Sequence, residues 1–404
     1  MTRKGVWNLQ QVRDKYLQEL WEYNVNLFSW GNNDAGQLGI NDTTNRSSPT
    51  QIPGDNWQIS GTGNNESRNI GIMDSTYSIK SDGTLWAWGE GAYGALGQNN
   101  QTNQSSPIQI GSDTTWSSVG GGYRHGTAVK TDGTLWSWGY NYHGLLGQNN
   151  ETHYSSPVQV GSDTNWSSVA SGNVYTYGRK TDGTLWAWGN NTNGTLGQNL
   201  PQNANRSSPV QIPGTNWSEQ YCSNQSTVTA IKTDGTLWAW GRNWEGQLGQ
   251  SEGQNKAKSS PVQIPGNTWA ILARGSGERT RNPIAVKTDG TLWTWGANEQ
   301  GQLGQNHTNE RSSPVQVGTD TTWSTTIRPA GTGYSRLIAC IKSDNTLWAW
   351  GQNSSGSFGV GEKPATLDYR SSPVQVPGTT WNEIYMTGNY SVFGIKPNLT
   401  PSQL

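Results

Sequence analysis

A five-residue block recurs along this chain and constrains its fold more than any other feature. Leu85-Trp86-Ala87-Trp88-Gly89 returns as Leu135–Gly139, Leu185–Gly189, Leu237–Gly241, Leu292–Gly296 and Leu347–Gly351, with a variant first copy at Leu27-Phe28-Ser29-Trp30-Gly31. The second aromatic falls at Trp30, Trp88, Trp138, Trp188, Trp240, Trp295 and Trp350, at spacings of 58, 50, 50, 52, 55 and 55 residues. Self-similarity at such a period marks solenoids, propellers or arrays. The same landmarks follow in every copy. Gly-x-Leu-Gly comes after the Trp-Gly, as in Gly36-Gln37-Leu38-Gly39, with Phe358 replacing the Leu in the seventh copy. Then comes Ser-Ser-Pro with an alternating tail, as in Ser156-Pro157-Val158-Gln159-Val160. A lone Trp follows, at Trp57, Trp116, Trp166, Trp217, Trp269, Trp323 and Trp381. A short apolar run ending in Lys, such as Ala128-Val129-Lys130, leads through Asp-Gly to the next Leu-Trp.

This order reads as strands throughout. Asp-Gly between two apolar runs predicts a two-residue hairpin with a type I′ turn, and Asp344-Asn345 fills the same place in the seventh copy. Thr84-Leu85-Trp86-Ala87-Trp88 alternates large and small side chains, as a strand between packed layers does. Pro at the first residue of a strand is permitted, so Ser-Ser-Pro-Val-Gln-Val reads as a further strand. About four short strands per copy, repeated radially, predict a seven-bladed β-propeller. Closure is legible at the ends. The chain finishes on Tyr390-Ser391-Val392-Phe393-Gly394-Ile395-Lys396 without its Leu-Trp partner, and the missing half stands at Val25–Gly31. The expected fold is therefore all-β, a seven-bladed propeller over residues 25–397 sealed by its first and last strands. A short α-helical arm over residues 1–24 and a tail over 398–404 flank it.

Composition then sharpens what the repeat is for. The chain of 404 residues holds 23 Trp against 3 Phe, is 14% charged and carries a net charge of −1. The repeat uses 20 of the Trp and leaves Trp7, Trp21 and Trp244, so Trp abundance belongs to the thin core and not to ligand stacking. The balanced charge gives no basic field for nucleic acid. No stretch approaches the ~18 apolar residues of a membrane span, and no secretion signal follows the N-terminus. Cys222 and Cys340 are too few and too far apart for a disulfide framework and read as buried thiols.

The Trp-Gly and Gly-Gln-Leu-Gly landmarks resemble the regulator of chromosome condensation repeat family over about residues 25–397. The resemblance implies a seven-bladed propeller, often sealed by a split blade. Members include a nucleotide-exchange factor for a small GTPase and a bacterial inhibitor of β-lactamases. The family's Gly-Gly-x-His-Thr is approached only at Gly121-Gly122-Tyr123-Arg124-His125. Nothing resembles the insertion that the exchange factor uses on its GTPase, so the fold carries over and the exchange activity does not.

Residues 1–24 lie outside the repeat. Leu9, Val12, Tyr16, Leu20 and Tyr23 recur at helical spacing, and Asn8 with Gln11 fits an N-terminal cap. A single helix of about 15 residues is marginal alone in water, so it must dock. The expected contacts of this arm are Trp7, Leu9, Val12, Tyr16, Leu20 and Trp21. Gly5-Val6-Trp7-Asn8-Leu9 also resembles the opening of virion structural proteins of marine tailed phages, which continue from such a segment into a binding domain.

Familiar catalytic patterns dissolve on inspection. Gly89-Glu90-Gly91-Ala92-Tyr93-Gly94 fits a dinucleotide fingerprint, but the sister copies Gly139–Gly144 and Gly189–Gly194 show it to be one variant of a structural turn. Gly249-Gln250-Ser251-Glu252-Gly253 fits a nucleophile elbow without the strand–turn–helix that an elbow needs. His125, His143, His153 and His307 show no metal-ligand spacing and read as solvated loop residues. The Asp of each Asp-Gly serves its turn. No cofactor and no metal are implied.

More informative is where copies differ. The stretches after Trp269 and Trp323 are long and project from the same face of adjacent blades, so Arg274, Arg279, Arg281, Arg328, Tyr334 and Arg336 are expected to form a basic contact patch. Trp244, Lys256, Lys258 and Lys363 are second-choice contacts. The expected function is that of a non-enzymatic structural or appendage protein of a tailed phage, in tail, fibre or capsid. Its arm would hold other virion proteins, and its propeller would present a surface to a host receptor or glycan. No nucleic acid and no membrane insertion are expected. The expected location is the virion after synthesis in the host cytoplasm. The alternative is a bacterial cytoplasmic scaffold or inhibitor that binds a protein, with a glycan-active enzyme a weaker third.

Overall fold

A computed structural model describes residues 25–57, 70–72, 75–224, 226–252, 256–276, 281–327, 329–332, 336–353, 358, 369–378, 380–386 and 392–397. In each of the six four-stranded sheets the Trp-Gly strand is third in an antiparallel order. In the sheet of Trp188 the order is Trp166–Ser171, Tyr175–Lys180, Leu185–Gly189 and Arg206–Gln211. The lone-Trp strands of neighbouring sheets approach one another, as Trp116–Gly121 does Trp166–Ser171, and so line the centre of the ring. The Ser-Ser-Pro strands form the rim. Val25–Gly31 pairs antiparallel with Val392–Pro397 from Val25↔Pro397 to Trp30↔Val392, so the two ends of the chain share one sheet.

The architecture is an all-β propeller, but the expected fold class needs correction on two counts. It has six regular four-stranded blades, not seven. The remaining sheet has five strands, because Arg274–Ser276 leaves the sheet of Trp295 and pairs in parallel with Ala330–Thr332 of the next one. The longer stretch after Trp269 supplies the residues for this crossing. Second, the described residues contain no α-helix, only the 3-10 turns Ala92–Gly94, Tyr142–Gly144 and Thr192–Gly194. The described residues therefore show no α-helical arm. Residues 1–24, with the expected contacts Trp7, Leu9, Val12, Tyr16, Leu20 and Trp21, lie outside the described residues, as does the tail 398–404.

The sequence landmarks turn out to be the joints between sheets. Trp188 Nε1 donates to the Leu145 carbonyl of the preceding sheet's Gly-x-Leu-Gly loop at 2.9 Å, and Trp88, Trp138, Trp240, Trp295 and Trp350 repeat the bond. Gly144 sits at φ +76°, where a Cβ would lie 2.3 Å from Ser207 Cα of the next Ser-Ser-Pro strand. Only glycine permits both the left-handed backbone and that approach. Apolar clusters accordingly lie between sheets. One joins Tyr177, Leu185 and Leu196 to Trp217, Val228 and Trp240 of the neighbouring sheet.

The Asp-Gly hairpin also differs from expectation. Gly83 alone takes φ +76°, and its amide bonds the Lys80 carbonyl at 2.9 Å. This is a three-residue loop, a type I turn closed by a left-handed Gly, and not the two-residue type I′ turn. The reason lies in the side chains. Trp86 Nε1 donates to Thr84 Oγ1 at 2.8 Å, and Thr84 Oγ1 donates to Asp82 Oδ1 at 2.6 Å. Five further hairpins carry this relay, ending on Asp132, Asp182, Asp234, Asp289 and Asp344. The Thr134 hydroxyl and amide hold Asp132 below the ordinary carboxylate range.

Candidate docking face

Antiparallel order gives the ring two unlike faces. One, the turn face, carries the Asp-Gly hairpins and the links between sheets. Here, in six sheets, the strand that enters the hairpin leads to a Lys laid against two indoles. Lys180 Nζ lies 4.8 Å from the Trp166 ring centre and 4.2 Å from that of Trp186, and it pairs with Asp163 at 2.7 Å. Lys80, Lys130, Lys232, Lys287 and Lys342 repeat the sandwich. Each cation over the negative faces of two rings contributes about 1 kcal/mol or more in a partly dry setting. The recurring Lys is therefore scaffold.

The opposite, loop face carries the loops that follow the lone-Trp strands and the Gly-x-Leu-Gly loops. There the copies diverge, and charged residues from different sheets meet. Arg242 is buried beneath Trp244, its guanidinium 3.3 Å from the ring centre, while Trp244 stays 48% exposed. From Arg242 a chain of alternating charge runs across three sheets. Arg242 lies 3.5 Å from Glu245, Glu245 lies 3.2 Å from Arg281, Arg281 lies 3.5 Å from Glu299, and Glu299 lies 2.8 Å from Arg336. Across the ring, Arg124 pairs with Glu90 at 2.9 Å and lies over Tyr123 and Tyr93.

This arrangement revises the expected basic patch. Arg281 and Arg336 do share one region of the loop face, but Glu245 and Glu299 neutralise them there. The backbone of Arg274 lies in the crossing strand. Arg279, Arg328 and Tyr334 lie outside the described residues, as does Lys363. Lys258 pairs with Glu252 at 3.2 Å. Spacing along the chain does not reveal Glu245 and Glu299 as partners of this region, because Arg281 reaches Glu245 and Arg336 reaches Glu299 from neighbouring sheets.

His125 corrects the reading of the histidines as solvated loop residues. It is fully buried in its strand, with Nε2 3.3 Å from Thr176 Oγ1 of the next sheet, and burial pushes its pKa down to about 3. Tyr175 occupies the equivalent place in the adjacent sheet, where both chains begin their second strand. His153 lies at the surface, and its Nδ1 accepts from the Asn141 amide at 3.0 Å. Asn103 and Asn205 do the same for Gly91 and Asn191. Among the described residues no three His, Cys, Asp or Glu side chains gather as a metal site would require. Burial raises the Cys340 thiol, which keeps it protonated and unreactive. Ser251 of the elbow-like sequence takes a left-handed turn and bonds its amide to the Ser312 carbonyl of the next sheet at 2.9 Å. It is a joint between sheets.

A ring of sheets locked by Trp and Gly-x-Leu-Gly joints, with its variable side chains on the loops, defines a propeller whose scaffold is generic and whose loop face is individual. The chain belongs to the regulator of chromosome condensation (RCC1) repeat family, whose pattern matches residues 26–60, 82–129, 132–179, 182–229, 234–277 and 289–327. The ultraviolet-B receptor UVR8 of Arabidopsis thaliana is 28% identical over 340 residues, covering 83% of this chain and 74% of the receptor. A protein RCC2 homolog of Danio rerio is 37% identical over 97 residues, which is 24% of this chain and 19% of that protein. The crystal structure of Prp20p from Saccharomyces cerevisiae aligns with a TM-score of 0.76 at 17% identity, covering 98% of this chain and 97% of that one. At that identity the likeness shows the fold alone.

Proposed function

We propose that this chain is a non-catalytic propeller that holds a protein partner on its loop face. One observation carries the reading. Trp244 lies flat on the buried Arg242 beside the chain Glu245–Arg281–Glu299–Arg336, so an exposed indole is fixed in place next to alternating charge. Aromatic residues and Arg anchor interfaces because a rigid, large side chain loses little entropy when buried. Alternating charge sets the register of a partner and rejects the wrong one. The yeast relative of known structure, Prp20p, binds Gsp1p and histones, so a propeller of this kind serves there as a protein platform.

The setting that best fits the opening segment Gly5–Leu9 is a structural or appendage protein of a tailed phage, held to other virion proteins through residues 1–24. The second reading is a cytoplasmic scaffold or inhibitor. Mass spectrometry of purified virions separates them. The chain is expected among the structural proteins, and its absence there leaves the cytoplasmic reading. In either setting, Trp244→Ala and Glu299→Lys are expected to release the partner while the fold persists. Undiminished partner recovery with both variants would remove the loop face from the interaction.

A further inference from the structure

In four copies the backbone amide two residues past the Trp-Gly strand is held by the side chain just before the rim strand. Asn45 Oδ1 accepts from the Asn33 amide at 2.7 Å, Asn103 Oδ1 from Gly91 at 3.0 Å and Asn205 Oδ1 from Asn191 at 3.0 Å. In the remaining one, His153 Nδ1 accepts from the Asn141 amide at 3.0 Å. The two kinds of acceptor differ in one respect. An amide oxygen accepts at any ordinary pH, whereas an imidazole nitrogen accepts only while it carries no proton. Histidine is also the side chain that ordinarily changes charge between pH 5 and 8.

The bond matters because of what Asn141 holds. Asn141 is fully buried. Its Oδ1 accepts from the Leu146 amide at 2.8 Å, and its Nδ2 donates to the Asn150 and Thr152 carbonyls at 3.0 Å each. Both arms of the loop therefore meet on this side chain, and His153 ties its backbone. Residues 150–153 run between two firmer points. The Asn149 amide bonds the Ser207 carbonyl of the next sheet at 2.7 Å, and Tyr154 pairs with Gly139.

The surroundings of His153 do not offset a change in its charge. Tyr93 of the preceding sheet and Tyr140 flank its ring at 5.2 and 5.0 Å. Arg124 lies beyond Tyr93 and is matched by Glu90 at 2.9 Å. Glu151 is exposed two residues away on the same loop. His143 faces the next sheet, where its Nδ1 accepts from the Asn205 side-chain amide at 3.0 Å. Among the described residues no carboxylate forms an ion pair with His153. His153 is exposed, so protons reach it directly from solvent.

We infer that His153 is an acid-operated latch on the loop of residues 141–153. The neutral ring closes the loop on the Asn141 amide. A proton on Nδ1 turns the acceptor into a donor, so two N–H groups face each other and the amide of a buried residue loses its partner. Residues 150–153 are then released from Asn141, and the packing of His153 against Tyr93 and Tyr140 goes with them. The sign follows from linkage. Only the neutral ring fits the closed loop, so closure is full above the titration of the imidazole and lost below it. Acid thereby reshapes one part of the loop face while the ring of sheets stays folded. The latch does not depend on the docking reading at Trp244.

Hydrogen exchange of the full chain, followed by mass spectrometry and corrected for the intrinsic effect of pH, tests this. Between about pH 7.5 and about pH 5, the segment 139–154 should lose protection roughly tenfold, the effect of one bond to a buried amide. The segment 31–46, tied by Asn45, should keep its protection in the same sample, a comparison that needs no variant. His153→Asn supplies the oxygen of the sister copies and should hold the protection of 139–154 constant across this range. His125→Tyr should leave the loss in place, which separates the latch from the buried histidine. The inference is overturned if 139–154 keeps its protection in acid, if 31–46 loses as much, or if His153→Asn shows the same loss.

Discussion

The two faces of the ring solve different problems with similar residues. On the turn face, Lys and Trp repeat from sheet to sheet, and each Lys sandwich stabilises its own hairpin and its neighbour. On the loop face, Arg124, Arg281 and Arg336 each pair with a Glu of a neighbouring sheet, and Trp244 stays in solvent. The difference teaches that residue type alone does not mark function in a repeat protein. Lys180 and Arg336 are both paired cations, but Lys recurs at the place of Lys180 in every copy, whereas the place of Arg336 holds Arg124 and Arg281 in two sister sheets and Val174 and Ser226 in two others. Where every copy agrees, the side chain serves the fold, and where one copy departs at the surface, it is available to a partner.

The largest expected effect falls on the joints that both faces share. Gly144→Ala places a Cβ against Ser207 backbone at φ +76° and is expected to cost about 3 kcal/mol or more. By contrast, Gly161→Ala meets nothing within 4 Å and should cost only about 1 kcal/mol of backbone strain. Chemical denaturation of the two variants distinguishes them, and equal losses would mean that close approach between sheets is not what the motif serves.

Next comes acid. His125 is neutral in the fold with a pKa of about 3, against an ordinary 6.5. The unfolded chain therefore binds a proton that the folded one refuses. Stability is full above pH 6.5 and is lost as pH falls from 6.5 towards 3. The hairpin carboxylates such as Asp132 lie below their ordinary 3.8, so their contribution is present above that value and lost only at lower pH. Thermal melts at pH 7, 5 and 4 should show a falling Tm that His125→Tyr, the residue type of the adjacent sheet, flattens. An unchanged slope would place the acid sensitivity elsewhere.

Smaller effects test the faces against each other. Lys180→Met removes contacts to two indoles and to Asp163 and should cost about 1–2 kcal/mol. Arg336→Ala on the loop face breaks a half-exposed pair and should cost no more than about 0.5 kcal/mol. Comparable losses would break the division between a structural and an available face. Smallest is Trp244→Ala. It should shift stability by about 0.5 kcal/mol or less, and its effect should appear in partner binding alone.

Much of the fold was legible because a propeller is local. Each hairpin, its Asp-Gly-Thr relay and its Gly-x-Leu-Gly loop lie within one period, so their spacing predicts strands, order and closure of the ring. The candidate sites were less legible. Glu299 reads as one polar loop residue until Arg281 and Arg336 arrive beside it. Arg281 and Arg336 of the expected basic patch likewise meet Glu245 and Glu299 only across sheets, which spacing along the chain does not reveal.

The sequence by itself determined the propeller, because its periodic Trp, Gly and Ser-Pro each meet an identical neighbour one period away. Only the tertiary structure decided which unlike residues meet. The parallel pairing of Arg274–Ser276 with Ala330–Thr332, the charge chain from Glu245 to Arg336 and the crossing of Tyr93 with Tyr140 all depend on how adjacent sheets sit against each other. That placement is set by packing summed over whole sheets, which no window of sequence contains.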